Sequence, residues 1–177
     1  MLQEAEIAQR AKQIKLLIMD VDGVMTGGQI ILDGNGNEFK AFHVRDGHGI
    51  KMAQRSGMTV AIITGRGSKV VEARAAELGI AEVHQKSFDK LVTYRDILKR
   101  LGLKEEESAF IGDDIVDIPV MSRVGLAFAV ADAEPYVKKA AHMVTERKGG
   151  QGAVREVIDL LLKSNGGWED VTAKYFS

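Results

Sequence analysis

Two aspartates directly after an apolar run are the residues of this sequence best suited to chemistry. Four apolar residues, Leu16 to Met19, lead into Asp20 and Asp22 in the stretch KLLIMDVDGVMTGG. Such a run, followed by a glycine-rich segment, predicts a buried strand that ends at these two carboxylates. One carboxylate there can attack phosphorus as a nucleophile, and the second, two residues later, can transfer protons.

Further polar residues follow two other predicted strands. Thr64 ends the second strand, and the cluster GDDIVD, with Asp113, Asp114 and Asp117, follows the fourth. Because ligands of open parallel sheets bind at the carboxyl ends of the strands, these residues should share one edge. Five carboxylates repel one another unless a cation or raised pKa values relieve the repulsion, and all-oxygen ligands suit Mg²⁺. A threonine hydroxyl and a lysine would then stabilise a phosphoryl group in transfer.

The elements that must position these residues alternate between short apolar runs and amphipathic stretches. This alternation predicts an α/β, doubly wound, mostly parallel sheet. The predicted strands are residues 15–20, 59–64, 82–84, 108–112, 126–130 and a weak 142–145. The predicted helices are residues 49–55, 68–78, 90–101, 116–123, 135–140 and 153–164. The segment GGQIILDGNGNEFKAFHV predicts a β-hairpin over about 28–43, and the tail, about 165–177, is either frayed or docked.

Composition narrows the function classes. The chain of 177 residues, 45% hydrophobic and 28% charged, can form one core, which predicts a single domain over 1–177. Its 24 basic and 25 acidic residues give no field that would attract nucleic acid or an anionic membrane. It has no apolar run of the ~20 residues that span a bilayer and no basic N-terminal region, so we expect a cytoplasmic protein. The absence of cysteine excludes disulfides and a thiol nucleophile.

Four short motifs occur in the order DVDGV, IITGR, a lysine near residue 90, and GDDIVD. They resemble the four motifs of the haloacid dehalogenase superfamily of aspartate-nucleophile phosphatases. FHVRDGHGIK, AVADAEPYV and KGGQGAVREVIDLLL are similar to the 3-deoxy-D-manno-octulosonate 8-phosphate phosphatase family, and the similarity extends over residues 16–162. The resemblance implies a Mg²⁺-dependent phosphatase that releases phosphate from this sugar acid in lipopolysaccharide precursor synthesis. The alternative substrate is a nine-carbon sugar acid 9-phosphate.

The resemblance also implies a role for each acidic motif residue. Asp20 would be the nucleophile that carries the phosphoryl group, and Asp22 would be the general acid/base. Mg²⁺ would be held by Asp20, by the backbone carbonyl of Asp22, and by Asp113. Asp114 would lie next to the metal ligands.

The remaining site residues implied by the resemblance bind the phosphoryl group or the sugar acid. Thr64 would bind the phosphoryl group, and Lys90, oriented by Asp117, would neutralise it. Lys86 is the rival lysine, but Lys90 opens a predicted helix as the family lysine does. Arg66, in the TGR sequence, is the first candidate for the sugar carboxylate, because guanidinium can hold a carboxylate through two hydrogen bonds. The other substrate-binding candidates are Gly65, Arg45, Gly47, Arg74 and Arg155.

Three other interpretations of the acidic motifs are weaker. An EF-hand loop that starts at DVDG fails, because Met25 and Ile31 occupy the positions that require glycine and glutamate. A signalling receiver domain also uses aspartate, Mg²⁺, threonine and lysine, but its lysine comes last in the chain, and it lacks a counterpart of Asp22. A non-catalytic assembly module is unsupported, since every motif position carries competent chemistry.

The gaps between motifs leave no room for a cap domain, which usually needs at least about 50 residues. Residues 23–63 hold the hairpin and one helix, and residues 65–89 hold one helix and one strand. We therefore predict a site that is open in the monomer. The family resemblance implies a homotetramer in which the hairpins assemble centrally and a neighbour's C-terminal tail closes the pocket.

Overall fold

Six parallel strands form the central sheet of the structure, a computed structural model that describes residues 2–176. The strands in chain order are β1 (Leu16–Met19), β2 (Ile31–Leu32), β3 (Glu38–Phe39), β4 (Thr59–Ile63), β5 (Glu82–His84), β6 (Ser108–Gly112), β7 (Leu126–Ala129) and β8 (Met143–Val144). All except β2 and β3 belong to the sheet, in the order β5-β4-β1-β6-β7-β8. Every residue of β1, β6 and β7 is buried, as expected for a parallel sheet covered on both faces.

The eight helices in the described chain are α1 (Glu4–Ala11), α2 (Val44–Arg55), α3 (Lys69–Leu78), α4 (Lys90–Leu101), α5 (Ile118–Met121), α6 (Pro135–Ala140), α7 (Ala153–Asn165) and α8 (Gly167–Thr172). Five of them connect strands, whereas α1 precedes β1 and α7 and α8 follow β8. Ser68 and Asp89 cap the first turns of α3 and α4 with side-chain oxygens, and Gly79 and Gly102 end these helices in the left-handed conformation. In the packing, α7 contacts α1 and α2, while α4 contacts α5.

The strand order reverses beside β1, which determines where a ligand can bind. β1 pairs with β4 on one side and with β6 on the other, both in parallel. The chain continues from β4 to β5, and then crosses back to β6, β7 and β8. The doubly wound fold is thus confirmed, and the carboxyl ends of β1, β4 and β6 meet at a topological switch point.

The predicted hairpin is present as a separate, antiparallel pair. Ile31 of β2 faces Phe39 of β3, and the Asp33 carboxylate accepts hydrogen bonds from the backbone of Asn35 and Asn37 in the turn. The side chains of Ile31 and Phe39 are exposed. Between Asp20 and β4 the described chain contains only this hairpin and α2 beside the motif loop, so no cap domain is inserted there.

Some elements differ from their predictions. The amphipathic helix α1 was not predicted, because only Ile7 and Ala11 of its eight residues are buried. α2 begins at Val44 rather than at residue 49, and α5 covers only part of the predicted 116–123. The described part of the tail docks as α8 and a 3₁₀ turn, in which the Tyr175 hydroxyl contacts His48.

The buried apolar side chains form one core cluster that includes residues from α1 to α8. The organisation of 1–177 as a single domain stays a prediction. No helix within residues 2–176 combines the length and the apolar character needed to cross a membrane.

Candidate active site

Asp20 and Asp22 lie in a tight loop directly after β1. The Asp20 amide donates to the carbonyl of Ile111 at 3.1 Å, which extends the pairing of β1 with β6. The backbone N–H groups of residues 24–26 then converge on the Val21 carbonyl, so the chain reverses at once. Gly23 in this loop has φ +90°, and a side chain there would overlap the Asp113 carboxylate. Only glycine therefore allows the two acidic motifs to approach this closely.

Lys90 connects two buried carboxylates from different strands. Its ammonium lies 2.6 Å from Asp117 Oδ1, as a hydrogen bond, and 3.1 Å from Asp20 Oδ1, as an ion pair without hydrogen-bond geometry. Asp117 Oδ2 accepts hydrogen bonds from the backbone of Asp113 and Asp114 at 3.0 and 3.4 Å. Asp117 thus fixes both the lysine and the loop that carries Asp113.

The structure brings Lys90, rather than its rival Lys86, to Asp20. Lys90 is the first residue of α4 and is 4% exposed. Lys86 is exposed and adopts φ +56°, which is uncommon for a residue with a side chain. Its side chain packs beside Gly67.

Three carboxylates are close enough to share a cation. Oxygens of Asp20, Asp113 and Asp117 lie within 4.8 Å of one another. Within residues 2–176, Asp20 Oδ1 and Asp113 Oδ1 are buried and accept no hydrogen bond, whereas both oxygens of Asp117 are engaged. Two buried carboxylate oxygens that accept no hydrogen bond, one of them ion-paired with Lys90, fit a divalent ion with oxygen preference. Such an ion typically takes one or two carboxylates and keeps positions for water and phosphate.

Burial and mutual repulsion shift the pKa values of this cluster. Burial raises the pKa of Asp20 to about 6, although the neighbouring Lys90 ammonium opposes the shift. Burial, together with the charges of Asp20 and Asp117, raises the pKa of Asp113 to about 8. For Lys90, burial lowers the pKa, but the two nearby carboxylates outweigh burial, so its pKa lies above its usual value. The negative charge of the three carboxylates, when all are ionised, therefore exceeds the positive charge of the single lysine among them.

A cleft of about 260 Å³ opens over this cluster. Thr64 lies in its wall, where its amide donates to the His84 carbonyl and its own carbonyl accepts from Ser87. The volume suits a small molecule rather than a macromolecule. The residues that line the cleft are Asp20, Asp22, Thr64, Gly65, Arg66, Ser87, Phe88, Lys90, Asp113, Asp114 and Val116.

The hairpin brings two charged residues that the sequence analysis did not identify against Arg66 and Asp22, which line the cleft. Glu38 Oε1 lies 2.9 Å from Arg66, and its other oxygen accepts from the Ser68 hydroxyl. The Lys40 ammonium donates to Asp22 Oδ1 and lies 3.4 Å from Glu38. A usable signal existed in the sequence: Glu38 and Lys40 are two residues apart, so they share one face of the hairpin, opposite the exposed Phe39.

Apart from Gly65 and Arg66, the substrate-binding candidates do not line this cleft in the described chain. Arg45 is exposed at the start of α2. Arg74 pairs with Glu77 and packs against Gly47, which is buried. Arg155 forms an ion pair with Asp159 at 2.6 Å, within α7. Among the four candidate arginines, only Arg66 lies at the cleft.

Comparison with known proteins agrees with this geometry. The sequence profile of the haloacid dehalogenase-like hydrolases matches residues 68–158. The 3-deoxy-D-manno-octulosonate 8-phosphate phosphatase KdsC of Escherichia coli K12 is 51% identical over 162 residues, which are 92% of this chain and 86% of the relative. The crystal structure of the Yersinia pestis 3-deoxy-D-manno-octulosonate 8-phosphate phosphatase is 52% identical, with a TM-score of 0.92, and the match covers 93% of this chain and 89% of that one.

A third relative was crystallised with ligands. The 3-deoxy-D-manno-octulosonate 8-phosphate phosphatase of Moraxella catarrhalis, in complex with a magnesium ion, a phosphate ion and a KDO molecule, is 40% identical with a TM-score of 0.96. That match covers 98% of this chain and 99% of the other. The chain therefore belongs to the haloacid dehalogenase-like hydrolases and, among them, to the 3-deoxy-D-manno-octulosonate 8-phosphate phosphatase family.

Proposed function

We propose that this chain hydrolyses a phosphomonoester through a phosphoryl group held on Asp20. The observation that carries the proposal is the contact of Asp20 with Lys90 at 3.1 Å, beside Asp113, at the bottom of a small cleft. A carboxylate beside an ammonium in a partly dry site can attack phosphorus, and the ammonium can take up the negative charge that gathers on the phosphoryl oxygens. Thr64, in the cleft wall, adds a hydroxyl donor to the same oxygens.

The reaction has two steps, and Asp22 acts as a general acid in the first and as a general base in the second. In the first, a carboxylate oxygen of Asp20 forms a bond to phosphorus, the bond from phosphorus to the ester oxygen breaks, and Asp22 gives that oxygen a proton. In the second, Asp22 takes a proton from water, the water oxygen attacks phosphorus, and the Asp20 carboxylate leaves. The products are the alcohol and inorganic phosphate.

Mg²⁺ fits this site, because Asp20 and Asp113 each present a buried oxygen that accepts no hydrogen bond within residues 2–176. We propose that these two carboxylates hold the ion together with the backbone carbonyl of Asp22. When bound, the ion screens the repulsion between the nucleophile and the anionic phosphoryl group. Asp117 keeps Lys90 and the loop of Asp113 in place from below, and Asp114 caps the following turn.

For the substrate we propose 3-deoxy-D-manno-octulosonate 8-phosphate, cleaved to the free sugar acid and phosphate. Relatives with this name are 51% identical over 92% of the chain, and the Moraxella catarrhalis relative was crystallised with magnesium, phosphate and KDO. Arg66, 43% exposed at the cleft, is the residue we assign to the sugar carboxylate. The reaction would belong to lipopolysaccharide precursor synthesis. It would take place in the cytoplasm, because a substrate with two anionic groups does not cross a bilayer unaided.

We further propose that the protein acts as a homotetramer. Four large apolar side chains of the hairpin segment are exposed, and Phe88 at the cleft is 90% exposed, so self-association would cover apolar surface. Three candidate arginines lie away from the cleft of their own chain, so they can bind a substrate only if self-association brings them to a neighbour's cleft. These are Arg45, Arg74 and Arg155. Light scattering at assay concentration tests the assembly, and a fully active monomer would contradict it. The hairpin side chains are Ile30, Ile31, Leu32 and Phe39.

A phosphate-release panel tests the substrate. It compares the eight-carbon acid 8-phosphate, a nine-carbon sialic-type acid 9-phosphate and neutral sugar phosphates, each at matched concentration. We expect the highest kcat/KM for the eight-carbon acid. In Arg66→Ala, the ratio of kcat/KM for acidic substrates to that for neutral ones should fall about 10- to 100-fold. Highest activity on the nine-carbon acid would show that this acid phosphate is the substrate instead. A preference for neutral sugar phosphates would contradict the assignment of any sugar acid.

A further inference from the structure

Lys40 occupies an unusual position for a lysine in a short, surface hairpin. Its side chain is only 2% exposed, and its ammonium donates to Asp22 Oδ1. A second carboxylate oxygen, from Glu38, lies 3.4 Å away. Lys40 is not among the residues that line the cleft, and its contacts connect it to the site through the Asp22 carboxylate.

Burial of an ammonium is unfavourable unless partners compensate, so a buried lysine needs a reason. The partners of Lys40 come from the motif loop after β1 and from its own hairpin. The structure thus holds each aspartate of the DVD motif with a different lysine. Lys90 of α4 contacts Asp20, and Lys40 of the hairpin contacts Asp22.

We propose that Lys40 is a positioning residue, which fixes the Asp22 carboxylate for proton transfer to the leaving oxygen. This inference rests on the proposed function, in which Asp22 is the general acid/base. Lys40 holds Oδ1 of Asp22, while the only other cation near this carboxylate within residues 2–176 is Arg66, 3.5 Å from Oδ2 and more exposed. Arg66 is also bound to Glu38 at 2.9 Å. Without Lys40, the Asp22 carboxylate would keep only the longer contact with the more exposed Arg66, and its orientation would be less constrained.

The chemical consequence is specific to one step. As the bond between phosphorus and the ester oxygen breaks, the proton of Asp22 moves to that oxygen, and the alcohol leaves neutral. An alkoxide is a poor leaving group and needs the proton, whereas p-nitrophenolate leaves without one. A misplaced Asp22 should therefore slow alkyl phosphates far more than p-nitrophenyl phosphate.

The test compares Lys40→Met with the unchanged protein on glycerol phosphate and p-nitrophenyl phosphate, with kcat/KM as the readout. This ratio covers the steps up to release of the alcohol, so it excludes the later attack of water, which is common to both substrates. We expect a fall of about 10- to 100-fold for glycerol phosphate, within the range of general acid/base help, and less than about threefold for p-nitrophenyl phosphate. Lys40→Arg keeps the charge and the hydrogen-bond donors, so its kcat/KM on glycerol phosphate should fall less than that of Lys40→Met.

A double-variant comparison separates positioning from other roles. In an Asp22→Asn background, Lys40→Met should cause no further loss on glycerol phosphate, because its target is already disabled. Lys69→Met, on the exposed start of α3, is the matched control and should leave both rates unchanged. Thermal unfolding shows whether each variant is folded, and Lys40→Gln replaces Lys40→Met if the latter is not.

Several results would overturn the inference. These are equal losses on both substrates, no loss on either, or a full additional loss in the Asp22→Asn background. A rise in KM confined to acidic substrates would instead make Lys40 a ligand for the sugar carboxylate. If Asp22→Asn itself shows no dependence on the leaving group, the proposed function fails rather than the role of Lys40.

Discussion

Lys90 and Asp117 form a buried ion pair beneath the cleft, with 2.6 Å between Nζ and Oδ1. Asp117 is fully buried, and its second oxygen accepts from the backbone of the loop that carries Asp113. One carboxylate therefore fixes both a phosphate-neutralising group and a metal-binding loop. Removal of this carboxylate should affect stability and catalysis together.

Asp117→Ala should lower the free energy of unfolding by about 3 kcal/mol, since it leaves a buried ammonium and two backbone donors without this partner. Activity should fall at least about tenfold, because Lys90 is no longer oriented. Urea unfolding and phosphate release measure the two effects. Asp117→Asn keeps an acceptor and should lose less on both counts, and an Asp117→Ala protein with unchanged activity would contradict the orienting role.

Asp20→Asn should abolish turnover while the fold is retained, because an amide is nearly the same shape as a carboxylate but is a poor nucleophile. Phosphate release gives the rate, and thermal unfolding gives the control for the fold. Rapid acid quench should trap a phosphoryl adduct on the unchanged protein and none on the variant, as detected by intact mass. Substantial residual phosphatase activity in Asp20→Asn would show that another group attacks phosphorus.

The metal-free protein should become less stable as pH rises from about 6 to about 8, which is the upper part of a loss that starts near pH 4. The pKa of Asp113 is raised from 3.8 to about 8 by burial and by Asp20 and Asp117, so the folded state retains a proton that the unfolded chain has already released. Stability is thus full below the unfolded pKa and is lost through the folded one, by at most about 1.4 kcal/mol per pH unit.

Urea unfolding in EDTA across this range measures the slope, and Asp113→Asn should flatten it. Mg²⁺ should also reduce the slope, because a bound cation relieves the same repulsion. EDTA should remove activity, and added Mg²⁺ should restore it. An identical slope in Asp113→Asn would show that another group titrates, and activity that persists in EDTA would contradict the metal requirement.

Gly149→Ala should disturb the motif loop from behind. A side chain at Gly149 would overlap the Gly23 carbonyl oxygen, and the adjacent Gly150 amide donates to the Val24 carbonyl at 2.9 Å. We expect a loss of about 1–3 kcal/mol in stability and a fall of up to about 100-fold in kcat, because the loop carries both catalytic aspartates. Gly34→Ala, in the hairpin turn with open space around it, is the control. Unchanged kcat in a folded Gly149→Ala protein would contradict this bracing role.

Much of the fold was predictable because a strand buried on both faces of a parallel sheet is a short, continuous run of apolar residues in the sequence. Strands β5 and β6 have the predicted bounds, and β1 and β4 differ by one or two residues. The edge where Asp20, Thr64 and Asp113 meet was predicted from their positions at the carboxyl ends of parallel strands. The proximity of these three residues was foreseeable because each directly follows a strand of the sheet.

Other features depend on contacts that no local pattern records. α2 begins five residues before its predicted start at Gly49, because Gly47 in its first turn lowers helix propensity, and both glycines are buried. In the structure they permit close packing, since side chains there would press on Arg74 and Arg155. The contact of Lys40 with Asp22 likewise depends on how the hairpin folds back, which the hairpin sequence does not determine.

The separation of the hairpin from the central sheet has an evolutionary consequence. β2 and β3 pair only with each other among the described strands, yet Glu38 and Lys40 reach Arg66 and Asp22. Mutations in the turn and the outward-facing positions can therefore accumulate without loss of the apolar core. A change at Glu38 or Lys40, by contrast, alters the immediate surroundings of Arg66 and Asp22 while the central sheet and Asp20 stay as they are.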